Sequence, residues 1–302
     1  MSSIARVLPV ACAILMCAAQ ASAADLPVKA GVQAAALPEW VNPILAVNNQ
    51  LAIDVIGQHI DYLERDVDGT PLDSERGWQP GVQFSGSGMG NLGAITNVYV
   101  LGQFTFAKGN TSYVGSFQGG TYGDIKQSDG AETKDFDFRL GKGFDVAPNW
   151  MLTPYVGVGY HVWDRDISGA GGYHEQYEHG YAGGGLLIQY AATNRWVISA
   201  NGLVGSTFNP QMATSLNGGA VFTPTTYDLG TSLIWKAGLS SDYAITPQWH
   251  VNAGFDYTNF RYGISAQAAD GTLEPDSRTG IWTVKAGLGY SFYAPSAVVA
   301  KY

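Results

Sequence analysis

The chain has 302 residues and a net charge of −9; 14% of its residues are charged and 46% hydrophobic. The acidic balance excludes a nucleic-acid-binding protein, which needs a basic face. So few charges, with 39 Gly, 17 Tyr, 12 Phe and 8 Trp, also set the chain apart from ordinary soluble domains.

The first element is an export signal over residues 1–23. Arg6 precedes an apolar run from Val7 to Ala19, and Ala21-Ser22-Ala23 offers the small residues a signal peptidase accepts. Cys12 and Cys17 both lie inside it, so the exported chain is expected to carry no thiol, disulfide or Cys-based metal site. Residues 24–48, interrupted by Pro27, Pro38 and Pro43, read as a periplasmic leader or linker.

Beyond the signal, no apolar stretch approaches the ~20 residues a spanning helix needs. Runs of period two recur instead. In "TSLIWKAGLSSDY", Leu233, Trp235, Ala237, Leu239 and Tyr243 alternate with Ser232, Lys236, Gly238, Ser240 and Asp242. "MLTPYVGVGYHVWDR" and "WHVNAGFDYTNF" alternate in the same way. Strands with two different environments are implied. Soluble strands usually have about 5–6 residues, whereas tilted membrane strands need about 9–11, and these runs fit the longer figure.

The spacing predicts ten strands, at 49–62, 78–89, 94–107, 134–146, 151–165, 177–191, 196–208, 228–243, 248–264 and 279–292. The fold expected is an all-β, antiparallel, up-and-down transmembrane barrel over residues 49–292, with eight strands as the alternative count. A secreted β-sandwich is the soluble alternative. Three connections, "APNW", "TNRW" and "TPQW", are short and end in Trp150, Trp196 and Trp249, which are expected in a periplasmic aromatic girdle. "ERDVDGTPLDSERG" and "AKGNTSYVGSFQGGTYGDIKQSDGAET" are expected to be long outer loops.

The last run, "KAGLGYSF", places Lys285, Gly287, Tyr290 and Phe292 at the spacing of an assembly signal, and Tyr293 to Tyr302 follows as a periplasmic tail. On these residues the chain resembles bacterial outer-membrane β-barrel proteins. "ASAADLP" at the cleavage site is similar to the small surface barrels of alphaproteobacteria, the 25–31 kDa outer-membrane protein group. The resemblance implies an integral outer-membrane location. It also implies the barrel assembly machinery, outer-membrane lipid and lipopolysaccharide as partners.

Ten strands and this length also resemble omptin proteases, which set two Asp opposite an Asp–His pair at the barrel mouth. "DFDF" supplies Asp135 and Asp137, but no Asp-x-His exists in the chain, so no enzyme is expected. "GGYHEQYEHGY" misses the zinc-helix spacing, because Glu178 stands where a second His is needed; no metal or other cofactor is expected. Eight charged or titratable residues fall on the lumen-facing parity: Asp137, Arg139, His161, Arg165, Lys236, His250, Asp256 and Lys285. They would either line a narrow pore or pair with one another in a filled interior. The function expected is a porin-like or structural barrel, with a surface-recognition barrel acting through outer loops as the alternative and a hydrolase third.

Overall fold

The computed structural model describes residues 42–116, 120–169, 172–216, 224–269 and 271–293. The expected signal 1–23, the leader up to residue 41 and the tail from residue 294 lie outside the described residues. The described chain starts with a five-residue helix, α1 (Pro43–Val47). Asn42 caps it by accepting from the Ile44 and Leu45 amides at 3.0 and 3.3 Å, and Pro43 fits the first turn, where its missing N–H costs nothing.

Ten long antiparallel strands follow. They are β1 (Gln50–Arg65), β2 (Pro71–Leu92), β3 (Ile95–Gly115), β4 (Ile125–Lys142) and β5 (Trp150–Asp166). The second five are β6 (Tyr173–Ala191), β7 (Trp196–Leu216), β8 (Leu233–Ala244), β9 (Trp249–Tyr262) and β10 (Asp276–Ser291). Each pairs with the next, and β1 pairs with β10 from Gln50↔Ser291 to Arg65↔Asp276, which closes the barrel. Phe144–Ala147 prolongs β4 past Gly143, and Thr226–Asp228 precedes β8 on the flank of β7. Ten strands, not eight, form the wall.

At one end the connections are short turns, including those before Trp150, Trp196 and Trp249. Asn149 adopts φ 70 in the first, a left-handed conformation that Asn tolerates better than most residues. At the other, loop end, the expected long loops are mostly strand. Pro71–Gly77 belongs to β2, Lys108–Gly115 to β3 and Ile125–Thr133 to β4. The polar composition of these stretches hid the strands.

The outer surface explains why. Two aromatic girdles bound a lipid-facing band of Leu, Val, Ile, Phe and Gly. On the turn side, Trp150 stacks on Tyr190 at 4.6 Å, Trp249 meets Tyr290 at 5.1 Å, and Trp196 is exposed beside them. On the loop side, Trp78, Tyr160, Trp235, Tyr257 and Trp282 form the second girdle, with Tyr257 and Trp282 at 4.0 Å. Past that girdle the outward positions turn charged: Asp61, Arg76, Lys108, Glu132, Lys134 and Asp164. The apolar residues move to the inward parity at the same level, so the wall continues beyond the membrane as a water-exposed barrel with its own core.

Candidate functional site

The lumen is filled in three layers. At the turn end, α1 lies inside the mouth. Ile44 is buried with Met89, Tyr99, Met151, Leu187 and Val197, and Ala46 is buried near Val197 and His250. Asn48 and Gln189 bond each other through both amides, Asn49 bonds both the amide and the carbonyl of Met89, and Ser291 Oγ donates to the Ala46 carbonyl at 2.9 Å. The stretch expected as a leader therefore ends in a seated plug. Beside it His250 Nδ1 lies 2.6 Å from Asp242.

The middle layer is a charge network. Asp137 accepts from Arg139 Nε at 2.7 Å, Lys236 Nζ at 3.1 Å and the Tyr181 hydroxyl at 2.6 Å. Arg139 also lies over the Tyr155 ring, and Lys285 pairs with Asp256 at 2.7 Å and reaches Gln83 at 3.2 Å. His161 Nδ1 is 2.7 Å from Asp135 on the neighbouring strand. Glycines make these contacts possible: a Cβ at Gly159 would overlap the Tyr181 ring, and one at Gly254 would press on the Lys285 chain. A cavity of about 200 Å³ remains between the layers, lined by Gln58, Gln83, Asn201, Lys236 and Lys285 among others.

The third layer closes the loop end. Tyr62, Trp163, Tyr177, Phe260 and Tyr262 are at most 1% exposed and pack together with Met212, Leu229 and Ile234. Arg165, also 1% exposed, lies over the Tyr62 and Trp163 rings. Its guanidinium pairs with Glu175 at 2.7 Å and Asp73 at 3.0 Å and approaches Glu75 at 3.6 Å. Tyr62 donates to Glu64 at 3.0 Å and Tyr177 to Glu274 at 2.5 Å. Of five buried carboxyls on the loop side of the second girdle, three thus meet the one arginine and two accept from tyrosines. Burial pushes Glu75 up to about 7, and burial with neighbouring acids raises Glu64, Glu175 and Glu274 above the usual carboxylate range. The loop carrying Glu274 folds inward: Glu274 is buried, and Ser265 N donates to its carbonyl at 2.9 Å.

All eight lumen-parity residues have their side chains inside, each in contact with a partner of the kind just described. The four residues of the closing segment divide: Lys285 and Gly287 face inward, while Tyr290 and Phe292 are exposed outside. Trp150, Trp196 and Trp249 all face outward. Asp135 and Asp137 do not form a pair at the mouth; one is held by His161 and the other by Arg139 and Lys236 inside the barrel. His174 faces outward and bonds Asp166 at 2.8 Å, while Glu175 and His179 face inward. Among the described residues no three His, Cys, Asp or Glu are grouped to hold a metal ion.

Sequence reasoning missed the aromatic layer and the carboxyls around Arg165. The available signal was the change of parity, in which Trp163, Tyr177 and Tyr262 sit on the side that carries Gly and charge lower in the same strands. It also missed Asp–His pairs. The Asp-x-His spacing is absent from the sequence, but the sheet forms Asp135–His161 and Asp242–His250 across strands.

No family model matches the chain, and no curated protein matches it. Among solved structures, it is similar to the outer membrane protease OmpT from Escherichia coli, with a TM-score of 0.51 and 10% identity over 80% of this chain and 95% of that one. The fold is that of an outer-membrane β-barrel. At that identity the likeness concerns architecture alone. Neisserial surface protein A matches with a TM-score of 0.30 and 14% identity, over 80% of this chain and 97% of that one. The translocator domain of autotransporter NalP from Neisseria meningitidis matches with 0.36 and 12%, over 80% and 88%.

Proposed function

We propose that this chain is an integral protein of a bacterial outer membrane with a closed lumen and a working surface at its protruding rim. The turn end faces the periplasm and the loop end the outside, the orientation that short turns and their girdle favour. The alphaproteobacterial kinship suggested by "ASAADLP", export through the N-terminal signal and delivery by the barrel assembly machinery belong to the same proposal.

The observation that carries the reading is the pair of seals. The α1 plug with its amide pair closes one end, and the aromatic layer around Arg165 closes the other. Between them the inward charges are matched to one another, as in a filled interior, not arrayed along a continuous water column. Above the second girdle the barrel continues as exposed wall, which offers a rigid surface to a partner outside. A hydrolase finds less support, since Asp135 and Asp137 are both engaged within the barrel.

Single-channel recording of the refolded protein in a planar bilayer tests this, with insertion checked by heat-dependent gel mobility. An inserted wild-type barrel is expected to stay silent, and deletion of residues 42–48 together with Trp163→Ala and Tyr177→Ala is expected to give discrete steps. The polar cavity of about 200 Å³ favours a second reading, a narrow gated conduit. Repeatable wild-type openings would establish that reading and remove the first.

A further inference from the structure

Three arginines meet on the outward face of the loop-side wall. Arg261 on β9 stands directly opposite Arg278 on β10, and Arg65 on β1 opposes Asp276 one outward position further along. With Leu63 they line a surface recess of about 280 Å³. Like charges placed directly across a strand pair repel. Neither the Arg261 nor the Arg278 guanidinium has a hydrogen-bond or ion-pair partner among the described residues, and Arg65 donates only to the Gly69 carbonyl, at 2.7 Å. Asp276 is the one carboxylate of the group. Elsewhere on the same rim, by contrast, Arg76 pairs with Asp61 and Lys108 and Lys134 pair with Glu132.

The height of the group decides what could neutralise it. Arg261 and Arg278 lie four residues beyond Tyr257 and Trp282 of the second girdle. At about 3.4 Å per residue and a tilt of about 40°, that is about 10 Å above the ring level. Arginine stems reach back toward the interface. The guanidinia therefore sit at the headgroup level of the leaflet, facing lipid and not the lumen. Planar guanidinia on adjacent strands suit the oxygens of a phosphate, which they bind bidentately.

We infer that Arg65, Arg261 and Arg278 form a binding site for a lipid-borne phosphate, that of a phosphorylated glycolipid of the outer leaflet packed against the barrel wall. Leu63 supplies the apolar contact below it. This rests on the reading of the loop end as the outer face of an outer membrane.

Native mass spectrometry of the refolded mature protein, in micelles doped with diphosphoryl lipid A or the same lipid dephosphorylated, tests the site. Wild type is expected to retain the phosphorylated form at least 10-fold better. Arg261→Gln with Arg278→Gln is expected to lose that preference, and Arg76→Gln to keep it. If the double variant does not fold, Arg278→Lys keeps the charge but not the fork, and is expected to reduce retention several-fold. Equal retention of both lipids, or an unaffected folded variant, overturns the site. So does inorganic phosphate binding to wild type while lipid phosphate does not. Failure of the membrane reading is visible separately, as loss of the heat-modifiable barrel in micelles whichever lipid is present.

Discussion

Asn48 and Gln189, 141 residues apart, exchange two amide hydrogen bonds, Nδ2 to Oε1 at 2.7 Å and Nε2 to Oδ1 at 3.0 Å. Each satisfies the other in a buried site. Asn48→Leu leaves the Gln189 amide short of partners, at a cost of about 1–3 kcal/mol. The expected outcome is a weakened seal, seen as brief current steps in a planar bilayer with the barrel otherwise intact. A silent variant with unchanged unfolding would show that the α1 contacts seal without this pair.

Asp137 holds Arg139, Lys236 and Tyr181 at once. Asp137→Asn leaves two buried cations with one partner fewer, which costs about 3–5 kcal/mol when a buried pair is broken. The urea midpoint of the heat-modifiable form is expected to fall accordingly. Adding Lys236→Met to Asp137→Asn is expected to recover part of the loss, because the uncompensated charge goes with it. Strict additivity of the two changes would contradict the network.

The carboxyls around Arg165 predict a pH dependence. Glu75, with its pKa near 7, faces Arg165, Thr111, Asp73 and Asp129 and holds its proton where the unfolded chain releases it. Stability from this group is fully present below about pH 4.5 and is lost as pH rises toward about 7. A shift of that size corresponds to about 3 kcal/mol. Unfolding measured from pH 4.5 to 7.5 should show the decline, and Glu75→Gln should flatten it. A variant with the wild-type slope would move the effect to Glu64, Glu175 or Glu274.

Gly159 faces the lumen under the Tyr181 ring. Gly159→Val pushes that ring away from Asp137 and overpacks a filled interior, at about 1–3 kcal/mol. Thermal mobility shifts should report it. Gly184, which faces lipid with open space around it, should accept Ala with little change.

The ten strands were legible because, between the girdles, one strand parity meets lipid and the other meets the lumen. Leu233, Trp235, Ala237 and Leu239 carry that pattern alone. The same rule concealed the strand ends. At Tyr62, Trp163 and Tyr262 the outside becomes water and the inside a core, so the alternation inverts and the stretch looks polar. The inward charges could be named from parity, but their partners could not. Asp137 meets Lys236 across 99 residues, a match set by register and barrel closure. The plug was hidden for a different reason: five residues between Asn42 and Asn48 show no periodicity, and the burial of Ile44 and Ala46 comes from the mouth that receives them.

The position of that plug has a kinetic consequence. Its contacts fall on Met89, Gln189, Val197 and Ser291, so they draw on strands from both halves of the sheet. The Ser291–Ala46 bond spans 245 residues. Residues 43–47 are made before any strand, yet they have no complete receptacle until β10 has joined β1. Loop closure over such a separation is slow relative to local pairing. Docking of the earliest-made element among the described residues therefore comes after the last-made strand is in place, and a fluorescent label near Ile44 would time the completion of the ring.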